Sequence, residues 1–416
     1  MNPIEQQDDI EVPPYFLCPI SLQMMKDPVT VSTGITYERE NIEKWVFTNK
    51  NTTCPVTKQG LNMEMFTPNH TLRRLIQSWC TLHASVGIER FPTPKAPATQ
   101  AQVLKLIREA DRPNSNAQTK VKCLRKLRSM ASYSSANRRC LESAGAVEFL
   151  SRVIVQDSVS LDQDMSVSDE ALSILSQLKI SDEERLRKLV VDTEGALFDS
   201  LTRVMSRSNF ECRAHAVELM KSMMQVVDPA QAASIKLDHL TEVVQIIKDP
   251  VSPRATKAAL KVLALACPWG RNRVRAVEAG AVPVLIELLV DAPAQDKRSN
   301  EMALAVLDQL CGCAEGRSEL LAPGAGLAVI SKKILRVSHF ASERGVRILA
   351  SIAKFSASPA VLQEMMQLGV VTKLCLVLQV DGDAKTKERA REMLKVHARA
   401  WKNSPCAPHL VLSSFS

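Results

Sequence analysis

The chain has 416 residues, 45% of them apolar and only 4% aromatic. That length allows two or more domains, and a core supplied by Leu, Val, Ala and Met favours packed helices over a sheet-rich fold. A formal net charge of +8 is a mild bias on a chain this long. It fits acidic partners or an anionic surface and does not imply nucleic acid. The 11 cysteines fall mostly singly on apolar stretches, which reads as reduced core thiols rather than a secreted disulfide framework.

Residues 1–11 are polar and acidic, with neither the basic start nor the apolar stretch of a signal peptide. No run of 18 apolar residues suggests a membrane span. The expected location is the cytoplasm, with the nucleus left open.

Residues 12–86 form the first predicted domain. Val29, Val31 and Ile35 alternate around Ser32-Thr33-Gly34, the pattern of a short hairpin. Ile42, Trp45 and Val46 then recur at helical spacing, and Thr48 to Thr53 is a polar loop. Leu72, Leu75, Ile76 and Trp79 mark a second helix, with Asn69 placed to cap it.

The outline is that of a two-loop zinc module. Cys18 and Ser21 stand where a first Cys-x-x-Cys would be, and Cys54 and Thr57 where the last would be. A structural zinc needs four soft or imidazole ligands. Two cysteines and no histidine between Tyr15 and Asn69 cannot supply them. The loops must then be held by hydrogen bonds and ion pairs, drawing on Ser21, Asp27, Thr36, Tyr37, Glu38, Arg39, Asn51 and Thr57. No metal and no cofactor is expected.

The words FLCPISLQMMKDPV, STGITYERENIEKW, CPVTKQ and TPNHTLRRLIQSW, spanning Pro13 to Trp79, resemble the U-box, the zinc-less relative of the RING finger found in ubiquitin ligases. With the helical remainder, the chain resembles plant U-box/armadillo E3 ubiquitin ligases, in particular the short subgroup with an N-terminal U-box tied to stress and immune signalling. The resemblance implies a transferase without catalytic side chains of its own. It would dock a ubiquitin-conjugating enzyme (E2) carrying a ubiquitin thioester, whose reactive cysteine belongs to that partner. By motif position, Ile20, Leu22 and Met25 of the first loop, Trp45 of the helix and Pro55 of the second loop would form the docking groove. Lys58 stands where many such modules place an arginine bridging enzyme and ubiquitin. Cys18, Asp27, Gly34, Tyr37, Arg39, Cys54 and Thr57 would be structural. Against this, Ile20, Leu22 and Met25 read as plain core, although a Pro-containing loop argues against burying all three. Trp45 reads as core, docking residue or both. Cys18 and Cys54 lack a nearby His or cation in sequence and read as scaffold rather than reactive thiols.

Residues 87–99 hold Pro92, Pro94 and Pro97, which stop a helix and favour an extended spacer. Thr67-Pro68 and Thr93-Pro94 are the minimal site for proline-directed kinases, and a phosphate on Thr67 would lie beside the start of the Asn69 helix.

Residues 100–403 show helical periodicity. A short glycine word recurs before a strongly apolar helix, around Gly145, Gly195, Gly280, Gly326 and Gly369, at intervals of 50, 85, 46 and 43 residues. The interval of 85 is two units, with Leu237 to Leu240 filling the gap. Such a period fits the armadillo/HEAT class and about six repeats from Val121 to Val380. Each glycine would supply a left-handed turn between helices. Asp157 to Asp169 is predicted to be a polar loop, and Met220, Met223 and Met224 to be packing residues. The fold class is therefore mostly α: a small α+β U-box, then a helical solenoid whose concave face would bind a protein substrate. Trp269 and Trp401 form no importin-like ladder, so import cargo is not expected.

From Arg112 to Leu141 the chain has no acidic residue and eight basic ones, Arg112, Lys120, Lys122, Arg125, Lys126, Arg128, Arg138 and Arg139. This is either a solvated face or a patch for an acidic substrate or an anionic membrane. Residues 404–416 read as a flexible tail. Self-association stays open, as does a second function, a non-catalytic armadillo scaffold using the U-box only for docking or dimerisation.

Overall fold

The computed structural model describes residues 11–49, 51–61, 66–84, 98–113, 115–156, 167–178, 180, 182–193, 195–207, 209–249, 251–291, 296–322 and 325–402. Most of the Pro-rich spacer with Thr93, the centre of the polar insertion at 157–166, and the tail lie outside the described residues. By its internal contacts the chain divides into two units, Met1–Glu109 with Lys126–Gly145, and Ala110–Arg125 with Ala146–Ser416.

In the first unit, strand β1 (Pro28–Thr30) pairs antiparallel with β2 (Thr36–Glu38) and with β3 (Thr67–Pro68), in the order β2-β1-β3. Gly34, at φ +81°, closes the hairpin between β1 and β2. Helix α1 (Arg39–Glu43) continues as a wider, π-type turn over Lys44–Thr48. Helix α2 (His70–Leu82) is capped by Asn69, whose Oδ1 accepts from Leu72 N at 3.0 Å. The Asn69 amide donates to Pro28 O and its Nδ2 to Thr30 Oγ1, so this one residue joins the helix to the sheet. Phe16, Val29, Tyr37, Ile42, Val46 and Ile76 close the core beneath. The third strand, two residues long, has no sequence signature of its own. Its register comes from pairing with β1.

The first unit also holds α3 (Gln100–Ala110), the C-terminal end of α4 (Ala117–Tyr133), and α5 (Ser135–Ser143). Asn137, 3% exposed, donates from Nδ2 to Met130 O and accepts on Oδ1 from Ala98 N.

The second unit is built from helices. They run α6 (Ala146–Gln156), α7 (Val167–Leu178), α8 (Glu183–Asp192), α9 (Ala196–Met205), α10 (Phe210–Met224), α11 (Pro229–Ala233) and α12 (Leu237–Lys248). Then follow α13 (Pro253–Ala266), α14 (Gly270–Glu278), α15 (Ala281–Asp291), α16 (Lys297–Leu310), α17 (Ala314–Leu321) and α18 (Gly326–Lys333). The last are α19 (His339–Phe355), α20 (Pro359–Gln367), α21 (Val370–Gln379), α22 (Ala384–Val396) and α23 (Ala398–Trp401). Their contacts define a three-helix repeat. Each third helix, α7, α10, α13, α16, α19 and α22, packs on the next in the series, and so do the second helices α6, α9, α12, α15 and α18. Apolar packing drives the stacking, as in other solenoids. Met220, Met223 and Met224 are buried in it.

Gly145, Gly195, Gly280 and Gly369 take the left-handed turn expected of them, at φ +78°, +86°, +78° and +70°. Gly326 does not. It opens α18 with the backbone so close that a Cβ would lie 2.3 Å from Leu320 O. Two further expectations need correction. Residues 167–169 of the predicted polar loop are the first turn of α7, where Ser168 and Asp169 are buried and accept from Arg207 Nη1 at 3.1 and 3.2 Å. The basic stretch is not simply a free face. Arg125 pairs with the buried Glu170, Arg138 donates to Ala131 O, and Arg139 contacts Glu43.

Among the described residues, no single helix is long and apolar enough to cross a membrane. Helices α20 and α21 pass such a test only together, bent by 64°, and Val370, Val371 and Leu374 of that pair are buried in the repeat.

Candidate functional site

The two loops of the N-terminal domain are built on one plan. In Cys18-Pro19-Ile20-Ser21-Leu22-Gln23, the Cys18 amide donates to Gln23 O at 2.8 Å and the Leu22 amide to Cys18 O at 2.8 Å. In Cys54-Pro55-Val56-Thr57-Lys58-Gln59, the Cys54 amide donates to Gln59 O at 2.8 Å and the Lys58 amide to Cys54 O at 3.0 Å. Leu22 and Lys58 occupy the same position in the two words. Both lie in the left-handed region, at φ +56° and +60°. A non-glycine residue there carries a cost of about 1–3 kcal/mol, accepted where the surroundings over-determine the backbone.

What over-determines it is a pair of thiols. Cys18 Sγ accepts from the Glu38 amide at 3.3 Å and Asn41 Nδ2 at 3.5 Å. Cys54 Sγ lies 3.0 Å from Tyr37 OH and accepts from Thr33 Oγ1 at 3.3 Å. Neighbouring residues of β2 thus hold different loops, Glu38 the first and Tyr37 the second. Burial by itself raises the Cys54 thiol, but hydrogen bonds from the Thr33, Thr57 and Tyr37 side chains outweigh it and bring it down to about 6. Cys18 is lowered in the same way, burial being outweighed by Asn41 and by backbone amides, that of Glu38 first. Tyr37 is raised, by burial first and then by its bond to Cys54.

The acidic and basic groups complete the frame. Arg39 Nε donates to Asp27 Oδ2 at 2.6 Å, while the Lys26 and Asp27 amides donate to the Glu38 carboxylate. Asn41 Nδ2 also donates to Ser21 Oγ at 2.9 Å. Trp45 Nε1 donates to Thr53 O at 2.8 Å and so ties the helix to the second loop.

With the frame made of polar contacts, apolar side chains are left at the surface. Leu22 is 74% exposed, Val56 52% and Ile20 36%. Lys58 is exposed, and Pro55 and Trp45 are half-buried. Met25 is the exception among the residues placed at the docking groove. It is 2% exposed, its amide donates to Phe16 O, and its side chain is core. Met25 therefore leaves the surface set. Val56 joins it, and the repeated Cys-Pro-Ile-Ser and Cys-Pro-Val-Thr words are the signal that could have found it, since Val56 is the counterpart of Ile20. Thr67 is exposed on β3, two residues before the Asn69 cap. Among the described residues no group of three or more His, Cys, Asp or Glu side chains converges on a point.

A zinc-less two-loop domain followed by three-helix repeats defines a class of protein, and sequence comparison bears on it. The profile described as the U-box domain matches residues 12–85, and that described as the plant U-box protein ARM repeat region matches residues 102–415. Two Arabidopsis thaliana proteins named E3 ubiquitin-protein ligase PUB23 and E3 ubiquitin-protein ligase PUB22 are similar over nearly their full length. The first is 52% identical over 409 residues, 98% of each chain. The second is 49% identical, covering 98% of this chain and 99% of the other. A chain from a solved structure concerning the interaction between cadherin and beta-catenin aligns with a TM-score of 0.59 at 12% identity, over 80% of this chain and 60% of that one. At that identity the likeness shows the fold alone. The chain belongs to the plant U-box proteins with an armadillo-repeat region, the family of U-box E3 ubiquitin-protein ligases.

Proposed function

We propose that Ile20, Leu22 and Val56, flanked by Pro55, Trp45 and Lys58, dock a ubiquitin-charged conjugating enzyme, and that the armadillo repeats bring the substrate. The observation that carries this reading is the exposure of apolar residues at matching positions of two equivalently hydrogen-bonded loops. Isolated apolar side chains at a surface mean little, but a set held by strained backbone around buried thiols is preorganised for a partner.

The reaction needs no nucleophile from this chain. A substrate lysine amine attacks the thioester carbonyl on the conjugating enzyme. An isopeptide bond forms, the thioester bond breaks, and the partner's thiolate leaves. Docking contributes orientation, by restricting the thioester to conformers in which attack is productive. Lys58 supplies a positive charge where it can face enzyme and ubiquitin together, without the planar fork of an arginine. Cys18 and Cys54 are fully buried and engaged in the frame, which supports a role for them as scaffold and not as ubiquitin carriers. Resemblance to the short N-terminal U-box subgroup supports substrates from stress or immune signalling.

The test is reconstitution with activating enzyme, a panel of conjugating enzymes, ubiquitin and ATP. Ubiquitin chains are expected, and their loss is expected in Ile20→Ala with the thermal unfolding profile retained. No chains with any conjugating enzyme would favour the scaffold alternative.

A further inference from the structure

Glu43 is an acidic side chain with 3% exposure on a helix of the small N-terminal domain. A buried carboxylate is costly unless paired. Among the described residues of its own domain, its ion-pair partner is Arg39, with Nη1 at 4.0 Å. The closer partners come from α5, the helix that opens the repeats. Ser135 Oγ donates to Glu43 Oε2, and Arg139 Nη2 lies 3.5 Å from the same oxygen. The Arg139 guanidinium also sits 3.9 Å from the centroid of the Phe47 ring. One arginine thus engages both a carboxylate and an aromatic face, the arrangement in which a planar cation contributes most. The N-terminal end of α5 favours a nearby anion as well. On the same helix, Asn137 accepts from the amide of Ala98, near the end of the Pro-rich spacer.

We infer that α5 is the docking face for the U-box helix, with Ser135 and Arg139 as positioning residues that clasp Glu43 and Phe47. Phe47 is two residues from Trp45, so the clasp holds the helix that flanks the proposed conjugating-enzyme surface. Its role in transfer is to limit which lysines meet the thioester. This role rests on the ligase reading above, but the clasp itself does not.

Hydrogen exchange of the full-length protein separates the two. In Arg139→Glu, amides of 39–48 and 135–143 should exchange about tenfold faster, while those of 28–38 keep their parent rates. Arg139→Lys, which keeps the charge but loses the planar stack on Phe47, should fall between parent and Arg139→Glu. If Arg139→Glu also loosens 28–38, the paired variant Phe47→Leu/Ser135→Ala, which adds no charge, is read over the same segments. Unchanged exchange at 39–48 and 135–143 in the variant read would overturn the clasp. With activating enzyme, a conjugating enzyme, ubiquitin and ATP, the parent should modify a restricted set of its own lysines. Arg139→Glu should spread modification to others, with discharge onto free lysine within about twofold of parent. Faster exchange with an unchanged lysine map would refute the positioning role and leave the contact. Absence of any transfer by the parent would count against the ligase reading while the exchange result stands.

Discussion

The U-box and the repeats place their apolar and polar groups in opposite ways. In the repeats, the facing sides of successive helices bury their apolar residues in stacking, and buried charges mark the joints between neighbours. Asp308 of α16, 7% exposed, takes Arg344 and Arg347 of α19, both at 2.9 Å. Asp249, just past α12, takes Arg213 of α10 at 2.5 Å. In the two loops of the U-box, thiols, hydroxyls and amides set the backbone, and Ile20, Leu22 and Val56 are left outside above the apolar core. The contrast follows from size. Long helices offer continuous apolar faces, whereas two short loops without a metal must be shaped by directional bonds.

The largest way to break that contrast is at a joint of the repeats. Asp308→Ala leaves two guanidinium groups without their shared carboxylate, one of them, Arg344, with a buried Nε that already has no hydrogen-bond partner. It should cost about 3 kcal/mol in denaturant unfolding of the repeats. Ubiquitin discharge onto free lysine should be unaffected, because the proposed docking surface lies on the U-box loops.

Next is the thiol frame. Tyr37→Phe removes the hydroxyl that lies 3.0 Å from Cys54 Sγ and accepts from the Val56 amide. It should lower stability by about 1–2 kcal/mol. Unlike Asp308→Ala, it should also reduce discharge, since Val56 sits on the loop that is freed. A thermal midpoint equal to parent would show that the frame does not depend on this bond.

The same frame predicts a pH dependence. Cys54 is lowered from the usual thiol value of 9.0 to about 6, so its thiolate is favoured in the folded state. The stabilisation is therefore fully present above pH 9, declines as pH falls from 9 towards 6, and is absent below. Unfolding of the U-box should show stability rising across that window, and Cys54→Ser should flatten the rise.

The smallest stability effect is expected at Leu22→Gly. Glycine takes φ +56° without strain but gives up more freedom on folding, so the change should stay within about 1 kcal/mol. Discharge should nonetheless fall, which separates the backbone of the loop from its side chain.

These sites differ in how far they could be read in the sequence. The hairpin at Gly34, the Asn69 cap and the left-handed glycines were legible, because each is a local demand met by a particular residue type. The first helix of each repeat was not. Helices α14 and α17 are short, and α14 opens on Gly270-Arg-Asn-Arg-Val-Arg, a polar run in place of an apolar one. Met25 was misplaced because loop residues have no period to reveal which side faces in. Glu43 was passed over because its partners lie 92 and 96 positions away, beyond any local pattern.

The central claim is that exposed apolar residues on the two equivalent loops dock the conjugating enzyme. It is tested most directly by measuring the affinity of a conjugating enzyme for the full-length parent and for Ile20→Ala/Val56→Ala. The fold should be unchanged by circular dichroism and the affinity weaker by about thirtyfold, the loss of a modest hot spot of ~2 kcal/mol. Equal affinity with the fold intact would contradict it and move the docking surface elsewhere on the chain.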